Sequence, residues 1–146
     1  MLFPEPEAFL AEVESVARIG GTELMRYWRS LTPDQVSEKA RNDLVSAADL
    51  ASERAIVAAV AARFPEHRVL SEEAGLSRDD DSGPVWIVDP LDGTTNFVHG
   101  IPQFAVSIGV AVAGRVDFGV VFDPCKGDVF TAARGCGARW NGAACR

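Results

Sequence analysis

The chain has 146 residues, with 14 Lys+Arg against 21 Asp+Glu, a formal net charge of −7 and a pI near 4.8. At 47% hydrophobic and 24% charged residues it has the composition of a folded globular protein, which excludes wholesale disorder. The acidic balance argues against a nucleic-acid backbone as main partner, and no apolar run reaches the ~18 residues of a membrane-spanning helix.

The N-terminal stretch from Met1 to Glu14 is acidic and lacks the basic flank of a signal peptide. The three cysteines, Cys125, Cys136 and Cys145, form no CxxC pair, which argues against a disulfide scaffold or zinc site and fits a reducing compartment. A cytoplasmic location and no membrane partner are the expectations.

Phe9, Val13, Val16, Ala17, Leu24 and Trp28 predict a helix from about Pro6 to Trp28 with one buried stripe. Gly20-Gly21 in its middle costs ~1 kcal/mol per residue against Ala, which suggests close packing. Leu31 to Asn42 is polar, is broken by Pro33 and reads as a connector. A second helix is predicted from about Ala47 to Phe64, with Leu50, Ile56, Val57, Val60, Ala61 and Phe64 on its apolar side and Pro65 as its stop. Ser46 with Asp49 three residues on resembles a capping box with Asp in place of Glu.

The pattern then changes to strands. Val69–Ser71 and Val85–Val88 are short apolar runs, separated by a loop whose Asp79-Asp80-Asp81 run reads as surface charge. Phe104–Val112 and Val116–Phe122 are longer strands with a hairpin at Gly114-Arg115. Asp128–Thr131 and Ala138–Trp140 follow. Two helices packed on a mostly antiparallel sheet, a layered α/β (α+β) sandwich, are the predicted fold. Asn141-Gly142 is a hairpin signal that asks for a returning strand of ~5 residues. Only Ala143 to Arg146 remain, so the expectation is that the chain is part of a longer protein.

The chemical signal is concentrated in WIVDPLDGTTNF, residues 86 to 97. A buried strand delivers Asp89 to its C-terminal end, Asp92 follows after Pro90 and Leu91, and Gly93-Thr94-Thr95 turns into a short helix. N–H groups at a helix start favour an anion. Two carboxylates ~4 Å apart repel by about 4 kcal/mol at an effective dielectric of ~20, so close pairing suggests a cation between them. Oxygen ligands without His or Cys favour Mg²⁺. Each piece also has an ordinary reading: Asp before Pro as turn chemistry, Glu72-Glu73 as a solvated pair, Asp49 as a first-turn dipole partner, Lys39 as a surface lysine, His99 as a partner in a polar turn. The spacing D-P-L-D-G-T is one residue longer than the DxDGT of the haloacid-dehalogenase phosphatases, which weighs against that family.

Taken together, these segments resemble the inositol monophosphatase family of Mg²⁺-dependent, lithium-sensitive phosphatases. KARNDLVSAAD (39 to 49) is similar to the family's K-x-x-x-D-x-V-T-x-x-D segment, with Ser46 where Thr is usual. SEEAG (71 to 75) is similar to its G-E-E-S segment, with Ser71 and Ala74 as departures. DPLDGTTNFVHGIPQFAVSIGV (89 to 110) resembles its signature, and GCGARWNG (135 to 142) its G-x-G-A-x-x-N-G turn. The segments follow the family's order across nearly the whole chain.

The resemblance implies the first half of an αβαβα fold, with residues 1–146 as the metal-binding half and the C-terminal half absent. It implies two or three Mg²⁺ ions: Glu72, Asp89 and the Leu91 carbonyl on the first, and Asp89 and Asp92 on the second. By the same resemblance, the Gly93 and Thr94 amides cradle phosphate, and Asp49 holds the Thr94 hydroxyl, a pair that orients the attacking water. Lys39 and Glu73 are implied as outer-shell or third-metal support. The implied reaction is in-line attack by water on a small-molecule phosphate monoester, without a phosphoenzyme. Inositol 1-phosphate is the expected substrate; histidinol phosphate, fructose 1,6-bisphosphate and 3′-phosphoadenosine 5′-phosphate are the alternatives within the superfamily. The full-length protein is expected to be a homodimer. The family's Trp-Asp segment, which completes the second metal site, is not in the sequence, so negligible turnover by residues 1–146 alone is expected. A non-catalytic interaction module is the reading from a different class.

Overall fold

The computed structural model describes residues 3–40, 43–77 and 83–145; the Asp79-Asp80-Asp81 run lies outside the described residues. Helix α1 (Pro6–Tyr27) starts on a proline, whose fixed φ suits the first helical position. Phe9, Leu10, Val13, Val16, Ala17 and Leu24 are buried along one stripe, together with Gly20 and Gly21. The two glycines sit where neighbouring elements come closest. A Cβ on Gly20 would lie 2.7 Å from the Ile56 side chain, and one on Gly21 would overlap the Phe122 ring. Trp28, just past the helix end, packs against the rings of Phe97 and Phe104 at centroid distances of 5.4 and 4.8 Å.

The stretch read as a connector is more ordered than predicted. After a 3₁₀ turn at Pro33–Gln35, β1 (Val36–Ala40) pairs antiparallel with β2 (Asp43–Ser46) in a ribbon separate from the main sheet. Its polar composition hid it, because the ribbon buries little apolar surface. Helix α2 (Ala47–Arg63) follows directly, opened by the predicted capping box. The Ser46 backbone N–H and hydroxyl donate to Asp49 Oδ2 at 2.9 and 2.6 Å, and the Asp49 N–H donates to Ser46 Oγ.

The buried face of α2 matches the predicted one at Ile56 and Val60, with Val57 and Phe64 partly buried against the core, and departs from it at Leu50 and Ala61. Leu50 is 39% exposed and Ala61 is exposed too, while Ala48, Asp49, Ser52, Glu53, Ile56 and Val60 are buried. The spacing was helical, but the stripe is rotated onto polar residues in the first two turns. Those residues meet the candidate site.

Among the described residues the main sheet has eight strands. In chain order they are β3 (Arg68–Ser71), β4 (Gly75–Leu76), β5 (Val85–Asp92), β6 (Ala105–Val112), β7 (Arg115–Asp123), β8 (Asp128–Ala133), β9 (Gly137–Trp140) and β10 (Ala143–Ala144). The spatial order is β10-β9-β8-β7-β6-β5-β3-β4, with β3 and β5 parallel and every other pair antiparallel. The short helix α3 (Thr94–Val98) joins β5 to β6. Strand β4 was not predicted; with two residues it has no periodicity to read. The Asn141-Gly142 turn carries positive φ at both residues, as a type I′ hairpin requires, and β10 returns along β9.

Alternation in the strands sorts the two faces. Trp86, Val88, Val106, Ile108, Val110, Phe118, Val120 and Phe122 are buried with the apolar stripes of α1 and α2. On the opposite face Ile87, Val121, Phe130 and Trp140 are exposed, the last two stacked at 6.1 Å. The architecture is a mixed α/β layer, two helices on one face of a mostly antiparallel sheet. Among the described residues no helix is long and apolar enough to cross a membrane.

Candidate functional site

Register brings the acidic residues together. Ser71 at the end of β3 pairs with Val88 in the parallel strand β5, and the Glu72 N–H donates to the Val88 carbonyl. The next residue of each strand is a carboxylate, so Glu72 and Asp89 come side by side, within hydrogen-bonding reach of each other. Burial pushes the Asp89 carboxyl up to about 7; the neighbouring Glu72 and then Asp92 push the same way, against the Leu91 N–H. That N–H lies 3.3 Å from Asp89 Oδ1.

Beyond Asp89 the β5–β6 pairing is irregular: Asp89 faces Ser107, whereas Asp92 faces Ala105. Three steps on β5 match two on β6, so the strand bulges at Pro90-Leu91. A proline has no N–H to give the ladder, and a bulge re-aims the backbone beside a site. Gly93 then takes φ 98°, with the Gln103 carbonyl 2.9 Å from where a Cβ would be. A side chain there would be strained and crowded. The Thr94 hydroxyl lies 2.8 Å from Asp49 Oδ1 and 3.2 Å from the Leu91 carbonyl. Having one proton, it donates to the nearer acceptor, Asp49. Burial pushes the Asp49 carboxyl up, opposed by its hydrogen bonds with Ser46 and Thr94.

Lys39, on β1, reaches over the same cluster, its Nζ 2.6 Å from Glu73 Oε1 and 3.4 Å from Glu72 Oε1. A cleft of about 270 Å³ is lined by Glu72, Asp89, Leu91, Asp92, Gly93 and Thr94 among others. Of the sequence-predicted residues, the structure thus groups Lys39, Glu72, Glu73 and Asp89, with Thr94 lining the same cleft and joined to the buried Asp49. Asp92 lines the cleft but is exposed. Among the described residues no three His, Cys, Asp or Glu side chains converge as a ready set of ligands. His99 bonds the Thr95 carbonyl at 2.8 Å, the ordinary reading for it.

The donor set fits a hard divalent cation. Two adjacent carboxylates, one raised by the other, and a backbone carbonyl at a bulge are all oxygen donors, as Mg²⁺ favours. Two further polar residues face the site from α2 and were missed in the sequence. The buried Ser52 hydroxyl donates to the Pro90 carbonyl at 2.8 Å, and Glu53 lies under the turn that follows β3. The signal for both was present, since Asp49, Ser52, Glu53, Ile56 and Val60 share one helical face.

A sequence model of the inositol monophosphatase family matches residues 5–146. The chain is 45% identical over 113 residues to the Nus factor SuhB of Escherichia coli strain K12, covering 76% of this chain and 42% of that protein. It is 43% identical over 125 residues to the Nus factor SuhB of Pasteurella multocida, covering 86% and 47%. Among solved structures, the extragenic suppressor protein suhB from Bartonella henselae superposes with a TM-score of 0.88 at 40% identity, covering 95% of this chain and 53% of that one. The inositol monophosphatase from Anabaena superposes with a TM-score of 0.80 at 34% identity, covering 96% and 49%. The chain spans about half the length of the relatives it matches.

Proposed function

The chain belongs to the inositol monophosphatase family, and on that premise we propose that residues 1–146 form the metal-binding half of a Mg²⁺-dependent phosphatase acting on a small-molecule phosphate monoester. The observation that carries the proposal is the side-by-side placement of Glu72 and Asp89, each just past the last pair of the parallel strands β3 and β5. With the Leu91 carbonyl they would hold the first cation, and Asp89 with Asp92 would hold a second. A bound divalent cation supplies charge neutralisation at phosphate and acidifies water. The protein's own share of the reaction is orientation. The Gly93 and Thr94 amides are suited to phosphate oxygens, and the Asp49–Thr94 pair is suited to accept and aim a water proton. Lys39 and Glu73 balance charge around the pair.

Inositol 1-phosphate is the substrate we favour, because Thr95-Asn96-Phe97-Val98-His99 resembles the inositol branch of the family. The apolar sheet face bearing Ile87, Val121, Phe130 and Trp140 would seat the part of the catalytic unit that the relatives carry beyond the matched half. A sheet with one apolar face uncovered calls for another layer. The test is phosphate release from inositol 1-phosphate, histidinol phosphate and fructose 1,6-bisphosphate with Mg²⁺, assayed with residues 1–146 alone. The expected result is turnover no higher than that of Asp89→Asn; full Mg²⁺-dependent turnover by this chain would refute the half-enzyme reading. That same uncovered face favours a second reading, a non-catalytic association, in line with relatives named Nus factors. Binding to a partner that survives Asp89→Asn unchanged would support it.

A further inference from the structure

Three residues on one face of α2 reach three separate pieces of the site. Asp49 holds the Thr94 hydroxyl, and Ser52 holds the Pro90 carbonyl. Glu53, one turn beyond Asp49, is 7% exposed, and its Oε2 is buried without a hydrogen-bond partner. Burial pushes its carboxyl up, and the Glu73 backbone N–H and the Ser71 hydroxyl beside it pull the other way. Those two groups flank Glu72. Ser71 Oγ in turn accepts the Ala74 N–H at 3.3 Å, so its own proton is free to point at Glu53.

Helix packing gives no reason for a carboxyl at this position. An apolar side chain of equal volume would fill the space without desolvating a charge or stranding an oxygen. Meanwhile Glu72 and Asp89 repel each other once both are ionised. The turn that carries Glu72 must therefore be held from behind. We propose that Glu53 is a positioning residue of the site, fixing through the Ser71 hydroxyl and the Glu73 amide the turn that aims Glu72 at Asp89. The inference rests on the reading of Glu72 and Asp89 as metal ligands.

The test compares wild type, Glu53→Met and Glu53→Gln in this chain. Met keeps the volume but offers no acceptor, whereas Gln keeps an acceptor oxygen. Two quantities are read: Mn²⁺ affinity by electron paramagnetic resonance, and hydrogen exchange of the Glu73 amide by NMR without metal. Glu53→Met should weaken Mn²⁺ binding about tenfold or more, the usual scale for losing an outer partner of a metal ligand. It should also speed Glu73 exchange at least tenfold, with an unchanged or higher melting temperature. Glu53→Gln should stay within threefold of wild type in both readings. The proposal is overturned if Glu53→Met stays within twofold in both, or if Met and Gln lose equally. Equal Mn²⁺ binding by wild type and Asp89→Asn would sink the metal reading instead, while Glu73 exchange still reports on the turn.

Discussion

Asp89 lies in β5 just past its parallel pairing with β3, and burial first, then Glu72 and Asp92, push its carboxyl up to about 7. The consequence for stability has a definite sign. The folded chain holds this proton more tightly than the unfolded chain, so the contribution is fully present below about pH 4 and is lost as pH rises through about 7. At pH 8 without divalent metal the folded protein therefore carries a charge that its surroundings disfavour. Asp89→Asn, which never ionises, should melt higher than wild type under those conditions, by ~2–4 °C for each kcal/mol relieved. Adding Mg²⁺ should raise the wild-type melting temperature and leave the variant unmoved. Thermal melts at pH 8, with and without Mg²⁺, check both expectations; an Asp89→Asn protein less stable than wild type without metal would contradict the first.

At the scale of elements, the helices were legible because their apolar spacing is strong, and the strands because Gly and Pro punctuate them. What escaped was set by tertiary contacts. The β1–β2 ribbon has no apolar alternation to betray it. The first turns of α2 were misread because Leu50 outranks Ser52 on any hydropathy scale, yet Ser52 is buried against Pro90 and Leu50 is 39% exposed. Buried polar residues at helical spacing mark where a helix touches a site rather than a core. Gly20-Gly21 was read correctly as a point of close approach, and Gly21 gives a measurable case. Alanine there gains ~1 kcal/mol of helix propensity but forces its Cβ into the Phe122 ring. Overpacking costs ~1–3 kcal/mol, so Gly21→Ala should destabilise the chain by about 1 kcal/mol in urea denaturation.

His67 ties a second pair of elements, the α2–β3 connection and β5. Its Nδ1 accepts the Trp86 indole N–H at 2.9 Å, and its ring stacks on Phe64 at 4.8 Å. Burial lowers its pKa below the ordinary 6.5, against a small opposing pull from Glu66. The unfolded chain then binds the proton more readily, so this contribution is intact above about 6.5 and lost as pH falls through the depressed native value. Protonation at Nδ1 would also displace the indole N–H. His67→Gln retains an acceptor for Trp86 and does not titrate. Between pH 7.5 and 5 its melting temperature should fall less than that of wild type; parallel curves would contradict this role for His67.

Among the described residues the sheet is sealed by helices on one side and exposes Ile87, Val121, Phe130 and Trp140 on the other, with the carboxylate pair near one end of the β3–β5 seam. The family, the layered fold and the order of the motifs were readable because they are carried by short segments with fixed spacing. That Glu72 meets Asp89 was legible through the family resemblance but not from periodicity or spacing, since it depends on the parallel register of β3 and β5. The structure groups Glu72 with Asp89 and leaves Asp92 at the rim of the cleft, so the first cation position is the better formed of the two proposed. That is the claim on which the functional reading stands. Isothermal titration of residues 1–146 with Mg²⁺ at pH 8 tests it most directly. A saturable isotherm that disappears in both Asp89→Asn and Glu72→Gln is the predicted result, and an isotherm unchanged by either substitution would contradict it.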